Sequence, residues 1–210
     1  MTTILTDIET RVLGALVEKQ VTTPEYYPLT LNALMLACNQ KNNRSPVTSY
    51  SENQVSAAVE TLREKNLIYV FYGSTSRVPK YKHVMPEVLH VNHAEMALVC
   101  VLMLRGPQTP GELRGNASRL HEFGGLDEIE QTLNALISHD PDPLVVRLPR
   151  QAGQKEVRFA HLLSGEPKIE EVPLTDRPHP VETLGQRVER LETEVEDLRR
   201  QFEQFKKQFE

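Results

Sequence analysis

Cysteine is scarce, with two in 210 residues, so no disulfide framework supplies the stability of this chain. Cys38 and Cys100 each sit inside an apolar helical pattern and read as free core thiols of a reducing compartment. Long apolar runs are missing as well. Nothing approaches the ~18–20 residues that cross a bilayer, and the start Met-Thr-Thr-Ile-Leu-Thr-Asp lacks the basic and apolar regions of a signal peptide. A cytoplasmic protein with no membrane contact is the expectation. There is no glycine loop to cradle phosphates, no Ser-centred elbow and no Cys with an obvious His partner. Enzymatic activity and a cofactor are therefore not expected. His90 and His93 are three apart while His121, His139 and His161 are scattered, and no Cys or carboxylate pattern completes a zinc site. No metal is expected either.

A surplus of positive charge is also lacking. The net charge is −5, which argues against a simple basic nucleic-acid binder. Its distribution is uneven. Residues 1–85 hold nine Lys/Arg and seven Asp/Glu, a net of +2; residues 86–163 come to −3 and residues 164–210 to −4. Any phosphate contact is expected in the first part, though +2 is a weak footprint.

What is present is an arrangement that occurs twice. Ile8, Val12, Leu13, Leu16 and Val17 mark one buried face of a first helix, which Thr6 and Glu9 open at the spacing of a capping box. Leu31, Leu34, Met35 and Cys38 share one side of a second. A third, from about Ser51 to Asn66, begins with the capping pair Ser51 and Gln54 and carries Val55, Val59 and Leu62 as its core stripe. The β-branched and aromatic run Leu67–Gly73 and the segment Val78–Val84 then read as strands joined by the turn 74–77, with Pro79 marking an edge. The second copy runs through Ala94–Leu104, a capped helix from Thr109-Pro-Gly-Glu112, a third helix Leu126–His139, and strands at Leu144–Leu148 and Glu156–Leu162 around the tip 151–155. Three helices followed by a two-stranded wing are the outline of a winged helix, a helix-turn-helix variant.

The expected fold is thus mainly α with small β-wings (α+β). Two tandem winged-helix domains, 1–85 and 86–163, are followed by a linker at 164–180 and a coiled-coil helix at 181–210. In that last segment Leu184, Val188, Leu191, Val195, Leu198 and Phe202 fall at alternating steps of three and four. Val at a and Leu at d favour two parallel strands, so a homodimer is expected. Arg187 would meet Glu192 of the partner helix, and Glu194 would meet Arg199. The alternative is that this helix folds back on its own domains.

A DNA-binding reading gives Lys41 and Arg44 to phosphates. It gives Asn53 and Gln54 to base edges, where amides suit adenine, and Arg77, Lys80 and Lys82 on the first wing to the backbone or minor groove. Each has a plainer alternative. Asn and Gln cap helices and fill turns, and edge-strand cations discourage aggregation. Helix three also mixes Arg63 and Lys65 with Glu52, Glu60 and Glu64. The second wing is more basic, with Arg147, Arg150, Lys155 and Arg158. Its third helix contains Asp127, Glu128 and Glu130, which would repel phosphate, so the second domain suits a protein partner better.

The strings Arg11-Val-Leu-Gly-Ala-Leu-Val-Glu-Lys-Gln-Val-Thr-Thr-Pro24, Tyr27-Pro-Leu-Thr-Leu-Asn-Ala-Leu34 and Ala37-Cys-Asn-Gln-Lys-Asn-Asn-Arg44 resemble the YceH-like bacterial family. So do Leu104-Arg-Gly-Pro-Gln-Thr-Pro-Gly-Glu-Leu-Arg114, Leu144-Val-Val-Arg-Leu-Pro-Arg150, Gly153-Gln-Lys155 and Ala160-His-Leu162. The likeness covers nearly all of 5–163 and implies a tandem winged-helix fold in a cytoplasmic protein. It implies no activity, so function rests on the residues. Two functions fit them. One is a non-enzymatic regulator that binds double-stranded DNA. The other is an acidic tandem winged-helix scaffold, resembling the chromosome-partitioning ScpB type, that binds protein.

Overall fold

A computed structural model describes residues 4–72, 78–150, 156–167 and 199–200. Helix α1 (Asp7–Thr22) starts at Thr6, whose side chain accepts from the backbone N–H of Glu9 while Glu9 accepts from the N–H of Thr6. A 3-10 turn at Pro24–Tyr26 and a two-residue strand β1 (Leu29–Thr30) lead into α2 (Leu31–Cys38), N-capped by Thr30. Helix α3 (Glu52–Glu64) opens on the reciprocal Ser51–Gln54 box. Strands β2 (Ile68–Phe71) and β3 (Lys80–His83) follow, and a short α4 (Met85–Leu89) ends at His90 in the left-handed conformation. Then come α5 (His93–Arg105), α6 (Pro110–Ala117), α7 (Leu126–Ile137), β4 (Val145–Arg147) and β5 (Phe159–His161). The protein is mainly helical, with one three-stranded antiparallel sheet in the order β1-β3-β2 and one two-stranded sheet, β4-β5.

The repeat is closer than the sequence suggested. In the first copy Leu29 pairs with Tyr81 of β3, and the next residue, Thr30, caps α2. In the second, Gln108 bridges Phe159 of β5, and Thr109 caps α6 with Glu112. Gln108 therefore occupies the place of β1. Helix α5 carries a further reciprocal box, Asn92 with Glu95, which the apolar pattern alone did not reveal.

Residues Met1–Lys168 cluster as one compact unit and Ile169–Glu210 as another. Within the first, α1 packs against α2 and α3 on one side and α5 on the other. Every residue from Glu9 to Glu18 is buried, so the expectation of a single buried face captured only part of this helix. Gly14 makes the close approach possible. A Cβ there would lie 2.9 Å from Leu104 Cδ2, and the Cys100 thiol donates to Gly14 O at 3.4 Å. Cys38 and Cys100 are both free and buried, and burial pushes the Cys38 thiol up to about 12. No described helix is long and apolar enough to cross a membrane. Of the second unit, Arg199 and Arg200 are described, helical and exposed. The heptad residues Leu184, Val188, Leu191, Val195, Leu198 and Phe202 lie outside the described residues.

Candidate nucleic-acid interface

Helix α3 buries Val55, Ala58, Val59 and Leu62 and turns Asn53, Gln54, Ala57 and Glu60 outward. Asn53 is exposed, with no hydrogen bond to its side chain among the described residues. Gln54 is also exposed, but its Oε1 accepts from the N–H of Ser51 at 2.9 Å. That amide therefore closes the helix start. The cations of this helix and its end are engaged: Arg63 pairs with Glu60. Lys65 donates to both Glu9 oxygens, at 2.7 and 2.8 Å. Burial alone would raise the Glu9 carboxyl, but bonds from Lys65, Thr6 and Thr61 outweigh it and hold Glu9 at about 2.

The amide-rich loop between α2 and α3 is a structural knot. Asn39 Nδ2 donates to Tyr50 O, and Asn39 Oδ1 accepts from Tyr50 N–H, both at 2.8 Å. Asn43 sits at φ 60°, a left-handed turn that asparagine tolerates, and its side-chain oxygen accepts from Arg105. Lys41 is exposed and unpaired among the described residues.

Arg44 is a correction. Its side chain is 0% exposed, and its guanidinium donates to Glu18 Oε1, Glu18 Oε2 and Ala37 O. The turn at Asn43 directs it inward onto α1. No phosphate can reach it; its role is to join the loop to the core.

The β2–β3 ribbon presents a sharper feature. Residues directly opposite in an antiparallel pair share a face. Tyr69 lies opposite Lys82 and Phe71 opposite Lys80, while Ile68–His83 and Val70–Tyr81 face inward. Tyr69 is 54% exposed and Phe71 47%. Lys82 is exposed, Lys80 half-buried, and neither is paired among the described residues. Two cations thus interleave with two aromatic rings on one face. The sequence reading found the lysines and missed the rings, although the alternation of β2, apolar inward and aromatic outward, carried the signal. Arg77 lies outside the described residues.

The second repeat differs. Asp127 and Glu130 of α7 are exposed, and Glu128 caps Gly124 N at 2.7 Å. In its two-stranded ribbon Arg158 is held by Pro107 O and Glu112, Arg147 and Arg150 are exposed, and Lys155 lies outside the described residues. Among the described residues no group of three His, Cys, Asp or Glu side chains could hold a metal.

Fold and surface together define a mainly helical α+β protein of two internal repeats, with a cationic and aromatic sheet face on the first and an acidic helix on the second. The chain belongs to the family described as "Protein of unknown function, DUF480", whose model matches residues 5–154. It is similar to a UPF0502 protein of Opitutus terrae, 53% identical over 87% of this chain and 80% of that one. It also resembles UPF0502 protein GSU0233 of Geobacter sulfurreducens, 52% identical over 80% and 76%. UPF0502 protein ECA2523 of Pectobacterium atrosepticum is 47% identical over 86% of this chain and 88% of that one.

Proposed function

We propose that this chain is a non-enzymatic, cytoplasmic DNA-binding regulator whose two repeats are winged helices and whose segment 181–210 pairs two chains. The element order α1-β1-α2-α3-β2-β3, with β3 central in its sheet, supports the winged-helix reading. The observation that carries the functional reading is the outward face of β2–β3. Lys80 and Lys82 suit phosphate oxygens, and Tyr69 and Phe71 between them suit sugar and base surfaces at a groove edge. Lys41 at the loop before α3 would add a phosphate contact, and Asn53, with the N–H groups Gln54 retains, would reach base edges. Arg77, which falls between β2 and β3 in the sequence, is proposed as part of the same set.

A second reading, an acidic scaffold of the ScpB type with a protein partner on the second repeat, is favoured by two observations. The cations of α3 are spent on Glu60 and Glu9, and Asp127 and Glu130 face solvent on α7.

The two readings separate in fluorescence anisotropy of the full chain with a mixed-sequence duplex across a salt series. DNA binding predicts affinity that falls steeply with salt, and a Lys80→Ala/Lys82→Ala variant whose log–log slope is shallower by about two. No binding at low salt would remove the DNA reading and leave the scaffold.

A further inference from the structure

The cavity beside the N-terminal half of α1 has no part in that reading. It measures about 430 Å³, within the ~300–1,000 Å³ of small-molecule sites. Both repeats wall it: Arg11 from α1, Thr48 and Tyr50 from the loop before α3, Met103 from α5 and His161 from β5.

Arg11 is 5% exposed. Its Nη1 donates to Cys38 O at 3.2 Å and its Nη2 to Pro46 O at 2.8 Å, while Nε has no partner. No carboxylate pairs with it among the described residues. A buried guanidinium satisfied only by carbonyls is costly. Burial and the nearby Arg44 charge, against the opposing effects of Tyr50, Cys38 and Glu18, hold its pKa below the ordinary arginine value, and an anion in the cavity would offset that cost. His161 contributes a second orphan: its Nδ1 is enclosed and unpartnered. Burial, against the opposing effect of Asp7, holds the ring at about 4, so at neutral pH it is uncharged and one nitrogen accepts while the other donates. Thr10 and Ser164, whose hydroxyls share a 2.8 Å hydrogen bond, add polar wall; Leu102 and Met103 add apolar wall.

We propose that this cavity binds a small organic monocarboxylate, its head group taken by the Arg11 guanidinium beside the His161 ring and its apolar body by Leu102 and Met103. The guanidinium edge matches a planar carboxylate. Asp7 and Glu166, exposed residues that also line the site, oppose a dianion such as phosphate. The site stands independently of the DNA reading.

The test titrates the full chain with benzoate, 2-oxoisocaproate and, separately, inorganic phosphate, read by NMR of the histidine rings. Saturable carboxylate binding is expected to shift the His161 resonances and leave those of His83, which lines a different cavity, in place. Phosphate should bind at least about tenfold more weakly, and Arg11→Met should weaken carboxylate binding at least about tenfold. Glu166→Lys, at an exposed position, should tighten it; this variant decides the matter even where loss of Arg11 impairs folding. A cavity that holds only water gives no saturable His161 shift with either carboxylate, and that result overturns the proposal. Phosphate binding as tight as carboxylate, unchanged affinity in folded Arg11→Met, or no tightening in Glu166→Lys overturns it equally.

Discussion

Arg44 and Glu18 form a two-point pair, Nη1 to Oε1 at 3.1 Å and Nη2 to Oε2 at 2.6 Å, with the arginine side chain wholly buried. The pair ties the α2–α3 loop to the middle of α1. Removing one partner strands the other's charge in the core. Arg44→Ala or Glu18→Ala is expected to lower unfolding free energy by about 3–5 kcal/mol, read as a lower denaturant midpoint at unchanged slope. Arg44→Met with Glu18→Leu should recover much of that loss, because a packed apolar pair leaves no unpaired charge.

The contact between α1 and α5 leaves no room for a side chain at position 14 unless Leu104 shifts. Gly14→Val is expected to cost about 1–3 kcal/mol by overpacking, since the built Cβ meets Leu104 at 2.9 Å and Leu104 is only 2% exposed. A thermal melt of Gly14→Val, Leu104→Ala and the double variant checks this. The double variant should be more stable than the two separate losses together imply.

Acid should destabilise the protein through His83. The N–H of Met85 donates to its Nδ1 at 3.3 Å, which fixes the neutral tautomer with the proton on an unpartnered Nε2. Burial, with Glu87 opposing and Lys82 assisting, lowers His83 from 6.5 to about 4. The folded value lies below the unfolded one, so this contribution is fully present above pH 6.5 and is lost as pH falls toward 4. At 1.36 kcal/mol per unit it amounts to about 3 kcal/mol. His161, lowered likewise from 6.5 to about 4, acts in the same window, so His83→Asn, whose side-chain oxygen can still accept from Met85, should remove about half of the pH dependence of the melting temperature there. Glu9 adds a separate loss further down, between 4.5 and about 2.

On the β2–β3 face, Tyr69→Ser with Phe71→Ser is expected to weaken duplex binding about tenfold or more, at roughly 1 kcal/mol per ring contact, while leaving the salt slope unchanged. Both rings stand about half in solvent, so the melting temperature should move little. A shift in slope instead of affinity would assign the rings no contact of their own.

Much of the local structure was written in short patterns. The pairs Thr6–Glu9, Ser51–Gln54 and Thr109–Glu112 mark helix starts, because each satisfies two orphan N–H groups within four residues. The strand pairs were legible from short runs rich in β-branched and aromatic residues on either side of a polar turn. The Asn92–Glu95 start was missed beside a helix whose apolar residues run all the way round. The place of Gln108 as a one-residue strand was hidden, since a single bridge leaves no alternation to read. Arg44 shows the deeper limit. A cation in a polar loop looks solvated until a distant residue, Glu18, is found beneath it, and nothing local encodes that partner. Arg11 and His161 were invisible as site residues for the same reason. They meet only because α1 and β5, far apart in the chain, wall one cavity.

The sandwiching of α1 constrains how this chain can change over time. With its flanks committed to α2 and α3 on one side and to α5 on the other, a substitution along that seam in one repeat calls for an answering change in its twin. Freedom to diverge is left to the outward surfaces. There the repeats differ: one ribbon holds Lys82, Tyr69 and Phe71 open to solvent, while the other repeat carries Asp127 and Glu130 along α7. Two repeats built on one seam cannot be altered there independently, whereas either outward surface can be changed without disturbing the other.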